Sequence, residues 1–134
     1  MPTEPNRSTK SSVEVVLAWQ AAANAKDRPR VLELSHDDIE VGGPRGTSRG
    51  HQVLCEWLDR TGIELETQRV FGRGDTLVVE QTAAWTAMQG TFTRAFIATI
   101  FEVRGDRICK AVRYDSLAEA LTAAGLAETD KITI

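Results

Sequence analysis

The chain has 134 residues, 42% of them hydrophobic and 26% charged, with a formal net charge of −3. This length and composition predict a single globular domain whose core needs no disulfide or metal. The mild acidity argues against a nucleic-acid partner, and no apolar run approaches the roughly 20 residues of a membrane-spanning helix. Cys55 and Cys109 lie too far apart for a zinc motif. We therefore expect a cytoplasmic protein without a metal or other cofactor and without membrane contact.

The first half of the chain has mainly helical periodicity. Residues 1–11 are read as a flexible leader, and a first helix is expected to begin near Ser11 or Ser12. Asp27 can cap a short second helix with Pro29 in its first turn, and residues 39–41 read as a short strand. Residues 42–50 are rich in glycine and predict a loop, followed by a third helix over about residues 51–60. Inward-facing positions of the first helix are Val13, Val16, Leu17, Gln20 and Ala23.

The second half changes to the two-residue period of strands. Four runs, at about 63–71, 76–87, 92–103 and 107–114, are joined by connections short enough for antiparallel hairpins. A last helix is expected to begin at Ser116, which forms a capping-box pattern with Glu119, and to end at Gly125. This order of elements predicts an α+β fold, with one domain over residues 12–127 and a tail over 128–134.

Two of the predicted strands are apolar on both faces. In the run from residue 92 to 103, Phe96 and Ile100 alternate with Ile97 and Phe101. A meander with one face in water should instead alternate between polar and apolar residues. Helices can cover one face, and a second copy of the chain is the simplest cover for the other. We therefore predict a homodimer through the outer face of the sheet.

Several short motifs occur in the order typical of one superfamily. They are Asp37-Asp38-Ile39 before the first strand, Gly43-Pro44-Arg45-Gly46 and Gly50 before the third helix, the segment 101–108, and Arg113-Tyr114-Asp115-Ser116-Leu117. Over roughly residues 13–126 the chain resembles the nuclear transport factor 2-like superfamily, and more closely its SnoaL-like branch. The resemblance implies a curved, mostly antiparallel sheet around a conical pocket roofed by the N-terminal helices. Relatives include polyketide cyclases, ketosteroid isomerases, epoxide hydrolases and pocket proteins without known activity.

Asp115 is the first candidate catalytic residue. SnoaL-like enzymes use an acidic residue on the last strand as general acid/base, and alternation puts Arg113 on the same face as Asp115. The alternative is that Asp115 only precedes the terminal helix, where a negative charge suits the helix dipole. The family pattern has another carboxylate two or three residues earlier, where this chain has Val112 and Arg113.

Arg94 and Glu80 form a second candidate set. Epoxide hydrolases of the superfamily place an arginine between two carboxylates, and Arg94, Glu80 and Asp115 are candidates for such a set. The alternative is simple cross-strand pairing at the sheet rim. Tyr114, the only tyrosine, alternates away from Asp115, which argues against ketosteroid-isomerase chemistry.

Histidine chemistry is not favoured by the sequence. His36 lies beside two aspartates that cannot converge with it on one ion, and His51 begins a helix, where a cation is disfavoured. Aromatic residues could line an apolar pocket or simply form core. The candidates for substrate contact are Trp19, Trp57, Trp85, Phe96 and Phe101.

Two functional hypotheses remain open at this point. The first is a SnoaL-like enzyme that performs cofactor-free acid/base chemistry on a small apolar substrate, such as isomerisation, cyclisation or epoxide opening. Asp115 would then carry the proton, with Arg113 or Arg94 as its electrostatic partner. The second is a non-catalytic module that binds a small lipophilic molecule or serves dimerisation.

Overall fold

A computed structural model describes residues 5–61, 64–86, 90 and 92–133, and the side chains of 5–10, 60, 61, 85 and 86 are outside this description. Within these residues the chain forms one seven-stranded sheet with helices on both faces. The elements are α1 (Pro5–Asn24), α2 (Arg28–Glu33), β1 (Ser35–Gly43), β2 (Gly46–Arg49), α3 (His51–Thr61), β3 (Glu64–Arg73), β4 (Thr76–Thr86), β5 (Phe92–Arg104), β6 (Arg107–Tyr114), α4 (Leu117–Ala124), a 3₁₀ turn (Glu128–Asp130) and β7 (Lys131–Ile132).

The sheet order is β2-β1-β6-β5-β4-β3-β7. Strands β3 to β6 form the predicted antiparallel meander, so the α+β fold class is confirmed. Strand β1 pairs with β6 in parallel. This long-range pairing places the β1–β2 hairpin beside the last long strand, where it can form part of a cavity wall.

Helix α1 begins earlier than predicted. It starts at Pro5, so the expected leader over 1–11 is wrong for residues 5–11, and residues 1–4 lie outside the described part. Proline is well suited to the first turn of a helix because its missing N–H has no partner there in any case. After Pro5 no further proline or glycine interrupts the helix until it ends.

The main core lies between α1 and the inner face of the sheet. We use "inner face" for the sheet surface of Val79, Gln81 and Ala83 on β4 and Thr99 and Phe101 on β5. Val16 and Ala23 of α1 are buried there against side chains of α2, α3 and the central strands. The predicted buried positions of α1 are confirmed except Leu17, which is half-buried.

Helix α4 covers part of the opposite, outer face. Ala120 and Leu121 pack on Val78 and Ile100, and the helix is capped by Ser116 at its start and by left-handed Gly125 at its end. The chain itself therefore shields some of the outer apolar surface for which a second copy was expected. The predicted tail also joins the fold, because Ile132 pairs with Val70 at the sheet edge.

Candidate functional site

A cavity of about 490 Å³ opens between α1, α3, the inner face of the sheet and the β1–β2 hairpin. Its walls are mainly apolar. Described residues that line it are Trp19, Val41, Gly42, Gly43, Pro44, Arg45, Gly46, Ser48, Val53, Leu54, Trp57, Leu65, Gln81, Ala83, Ile97, Thr99, Phe101, Ala111 and Arg113. Arginine is the only ionisable residue type among them, and no carboxylate belongs to this set.

Three aromatic rings form one wall. Trp19 stacks on Trp57 with ring centroids 5.8 Å apart, and Phe101 meets Trp19 edge-on at 5.6 Å. The indole N–H of Trp19 donates to the hydroxyl of Ser35 at 2.9 Å, which fixes the ring orientation. Trp57, on α3, is the least buried of the three rings and is therefore the one best placed to contact a ligand.

Gln81 and Thr99 form the polar floor of the cavity, and they begin a chain of hydrogen-bonded side chains that leads away from it. The hydroxyl of Thr99 donates to Gln81 Oε1 at 2.7 Å, and Gln81 Nε2 donates to Gln20 Oε1. Gln20 Nε2 then donates to the hydroxyl of Thr67 at 2.8 Å. Each side chain in the series has a hydrogen-bond partner in the next one. These bonds offset the free-energy cost of burying the two amide groups.

The β1–β2 hairpin forms the rim. Its two-residue turn, Pro44-Arg45, joins the paired residues Gly43 and Gly46. A Cβ on Gly42 would lie only 2.3 Å from the carbonyl oxygen of Gly46, so only glycine permits the close approach of these two strands. The glycine-rich segment that predicted a loop is thus a hairpin, and it carries Arg45 to the cavity rim.

Arg113 is the one proposed catalytic residue that lines the cavity. It lies on β6 opposite Thr99. Its Nη2 is 3.8 Å from Asp115 Oδ1, while the Asp115 side chain is 69% exposed and is not part of the cavity lining. Asp115 directly precedes Ser116, the residue that caps α4, which matches its alternative interpretation.

The other proposed charged residues lie on the outer face. Glu80 accepts two hydrogen bonds from Arg69, from Nε at 2.6 Å and Nη2 at 3.0 Å. This pairing holds the pKa of Glu80 below its ordinary value. Arg94 is exposed and opposite Ala84. The structure therefore does not bring Arg94, Glu80 and Asp115 into one site.

Some of the aromatic residues predicted to contact a substrate line the cavity, and others do not. Trp19, Trp57 and Phe101 line the cavity, but Phe96 does not. Phe96 is 73% exposed, because it is an odd number of positions from Phe101 on the same strand and so points to the outer face. The side chain of Trp85 lies outside the described residues.

Residues with other candidate chemistries lie away from the cavity. Tyr114 packs beside α4. His36 Nε2 is 3.0 Å from the carbonyl oxygen of Arg104, and His51 Nε2 is 3.2 Å from that of Ser35. Cys109 falls at a β-bulge between β5 and β6, and burial raises the pKa of its thiol.

Sequence reasoning missed Gln81 and Thr99 as site residues. A signal was present in β4, where Gln81 is the polar residue on the face that carries Leu77, Val79 and Ala83. A polar residue with apolar neighbours on its own strand face marks either a buried network or a binding surface. Arg45 had no comparable signal, since its position depends on the pairing of β1 with β6.

Known structures support this fold. The chain has 23% identity to a nuclear transport factor 2-like protein from Burkholderia xenovorans, with a TM-score of 0.67 over 86% of this chain and 95% of that one. It has 20% identity to an LEH-like epoxide hydrolase from Mycobacterium tuberculosis, with a TM-score of 0.71 over 86% and 90%. It has 14% identity to another M. tuberculosis protein, crystallised with estradiol-17beta-hemisuccinate, with a TM-score of 0.70 over 81% and 95%.

A family model matches most of the domain. No curated protein matches the sequence. The family model of the SnoaL-like domain matches residues 16–111, from the inner positions of α1 to the cavity-lining Ala111 on β6. That match takes in the helices, the hairpin and the strands that enclose the cavity. The chain therefore belongs to the SnoaL-like domain family.

Proposed function

We propose that this protein binds a small, largely apolar molecule in the cavity and performs no carboxylate acid/base chemistry on it. The observation that carries the proposal is the lining itself, which is apolar and aromatic with a hydrogen-bonded polar floor. Its volume of about 490 Å³ falls within the range of ordinary small-molecule sites. A structural neighbour has been crystallised with an estradiol derivative, which supports a ligand of this character.

Among the described residues that line the cavity, none has the carboxylate that the catalytic alternative requires. General acid/base catalysis requires a proton carrier within hydrogen-bond reach of the substrate. Asp115 is largely exposed and points outside the lining, and Glu80 is bound to Arg69 on the other face. Both facts favour binding over isomerase, cyclase or epoxide hydrolase chemistry.

The experiment is a titration with 2-naphthol, which is apolar, compact and neutral at neutral pH. We expect saturable one-to-one binding by calorimetry. Ala111→Phe adds a ring inside the cavity and should weaken binding by about tenfold or more. Ala118→Phe adds the same ring at an exposed position of α4 and should leave binding unchanged. Absence of binding, or equal binding by a folded Ala111→Phe variant, would contradict the proposal.

We further infer a homodimer through the part of the outer face that α4 leaves uncovered. Phe92 and Phe96 are 66% and 73% exposed there, and large exposed aromatics on one strand favour association. Arg94 lies between them on the same face, and across β4 the exposed Glu64 and Glu66 follow on β3. A two-fold symmetric dimer in which β5 of one copy lies over β3 of the other would bring Arg94 of each copy close to Glu64 and Glu66 of its partner.

A further inference from the structure

The charge of the cavity differs in sign from that of the whole protein. The chain has a formal net charge of −3, yet among the described lining residues the charged ones are Arg45 and Arg113. Both are at the rim, Arg45 in the hairpin turn and Arg113 near the end of β6. A cationic rim on an acidic protein attracts anions locally.

Arg113 has unused hydrogen-bonding capacity. Its only ion pair with a described residue is the one with Asp115, whose 3.8 Å separation exceeds hydrogen-bond distance. The guanidinium lies over Gly43, where an added Cβ would be 3.5 Å from its Nε and 3.6 Å from its Nη2. The guanidinium therefore lies beside the hairpin at the rim, and the Arg113 side chain remains 46% exposed.

The Thr99 hydroxyl has no proton to offer an anion. Thr99 donates its hydroxyl proton to Gln81 Oε1, so Thr99 Oγ1 itself offers a ligand only lone pairs. An acceptor oxygen repels a carboxylate, whereas a guanidinium binds it with charge-assisted hydrogen bonds. An anionic group is therefore directed to the rim, and the apolar part of the same molecule to the wall formed by Trp57.

We propose that the ligand is an apolar molecule with one anionic group, such as an aromatic carboxylate, and that Arg113 binds that group at the cavity rim. This inference rests on the proposed function. It adds a ligand class and an orientation, with the anion at Arg113 and the rings inside.

The test compares two probes with the same rings, 2-naphthoate and 2-naphthol, by calorimetry at low ionic strength. The wild-type protein should bind 2-naphthoate more tightly. Arg113→Gln should lower the affinity for 2-naphthoate by about ten- to a hundredfold. It should change the affinity for 2-naphthol by less than about twofold. Arg113→Lys keeps the charge without the planar fork and should recover part of the loss. Arg107→Gln is the matched control, at an exposed position of β6 outside the cavity lining, and should leave the affinity for both probes unchanged.

The outcomes separate the two proposals. If both probes bind equally and Arg113→Gln alters neither, the anionic ligand class is overturned while cavity binding stands. If 2-naphthoate is preferred but Arg45→Gln rather than Arg113→Gln removes the preference, the assignment to Arg113 is overturned. If neither probe binds, cavity binding fails and this inference fails with it.

Discussion

Thr99 on β5 and Arg113 on β6 are directly opposite each other, and both line the cavity. Opposite residues in an antiparallel pair have Cβ atoms about 5 Å apart. The end of the buried polar chain, which runs from Thr99 through Gln81 to Gln20, therefore adjoins the cationic rim. A ligand in the cavity would meet a hydrogen-bond acceptor and a cation side by side, and the two groups can be tested separately.

Removing the Thr99 hydroxyl should destabilise the fold. Thr99→Val keeps the shape but leaves Gln81 Oε1 without its donor, and Gln81 is fully buried. We expect a loss of about 1–3 kcal/mol in the free energy of unfolding, measured by urea titration. Thr122→Val makes the same change at an exposed position of α4 and should cost less than about 0.5 kcal/mol. Equal losses in the two variants would show that the polar chain adds nothing to stability.

Removing the charge of Asp115 should raise the affinity of the cavity for an anionic ligand. Asp115 is the carboxylate that competes for the Arg113 guanidinium, at 3.8 Å, and such exposed ion pairs contribute at most about 1 kcal/mol. Asp115→Asn should therefore tighten 2-naphthoate binding by up to about fivefold and leave 2-naphthol unchanged. Calorimetry checks this. A loss of binding for both probes would instead identify Asp115 as part of the site.

The meander and the last helix could be predicted because their signals are local. Strands β3 to β6 alternate with a period of two, and Ser116 and Gly125 mark the ends of α4. The β1–β2 hairpin was missed because glycine-rich segments usually indicate loops. Its pairing depends on contact between β1 and β6, which are about half the chain apart and give no local signal.

The site was predicted only where strand alternation was applied consistently. Phe96 and Phe101 cannot line one cavity, because residues an odd number of positions apart on a regular strand face opposite sides. Arg113 and Ala111 do share the inner face, but the bulge at Cys109 moves that residue out of the pattern. Which face α4 would cover depends on long-range packing that alternation does not contain.

A charge in the exposed aromatic patch should abolish the homodimer. Phe96→Asp places a carboxylate where the inferred interface buries an aromatic ring, and burying an unpaired charge is costly. We expect wild-type dimer and variant monomer by sedimentation velocity at micromolar concentration, with 2-naphthol binding retained. Gln52→Asp adds the same charge on exposed α3 and should stay dimeric. A wild-type protein that sediments as a monomer would contradict the interface.

The ion pair between Arg69 and Glu80 should make stability depend on acidic pH. Arg69 holds the pKa of Glu80 below its ordinary value of 4.5, so near that pH the unfolded chain binds more protons than the folded one. Stability from this pair is therefore present above about pH 5 and is lost as the pH falls through the folded-state pKa. In Glu80→Gln this contribution is absent at every pH, so the drop in the free energy of unfolding from about pH 5 to about pH 3 should be smaller than in the wild type, by up to about 1 kcal/mol. Urea titrations at both pH values measure the difference, and Glu56→Gln, a change at an exposed position of α3, is the control. Identical drops in wild type and Glu80→Gln would mean that the pair contributes nothing to folding.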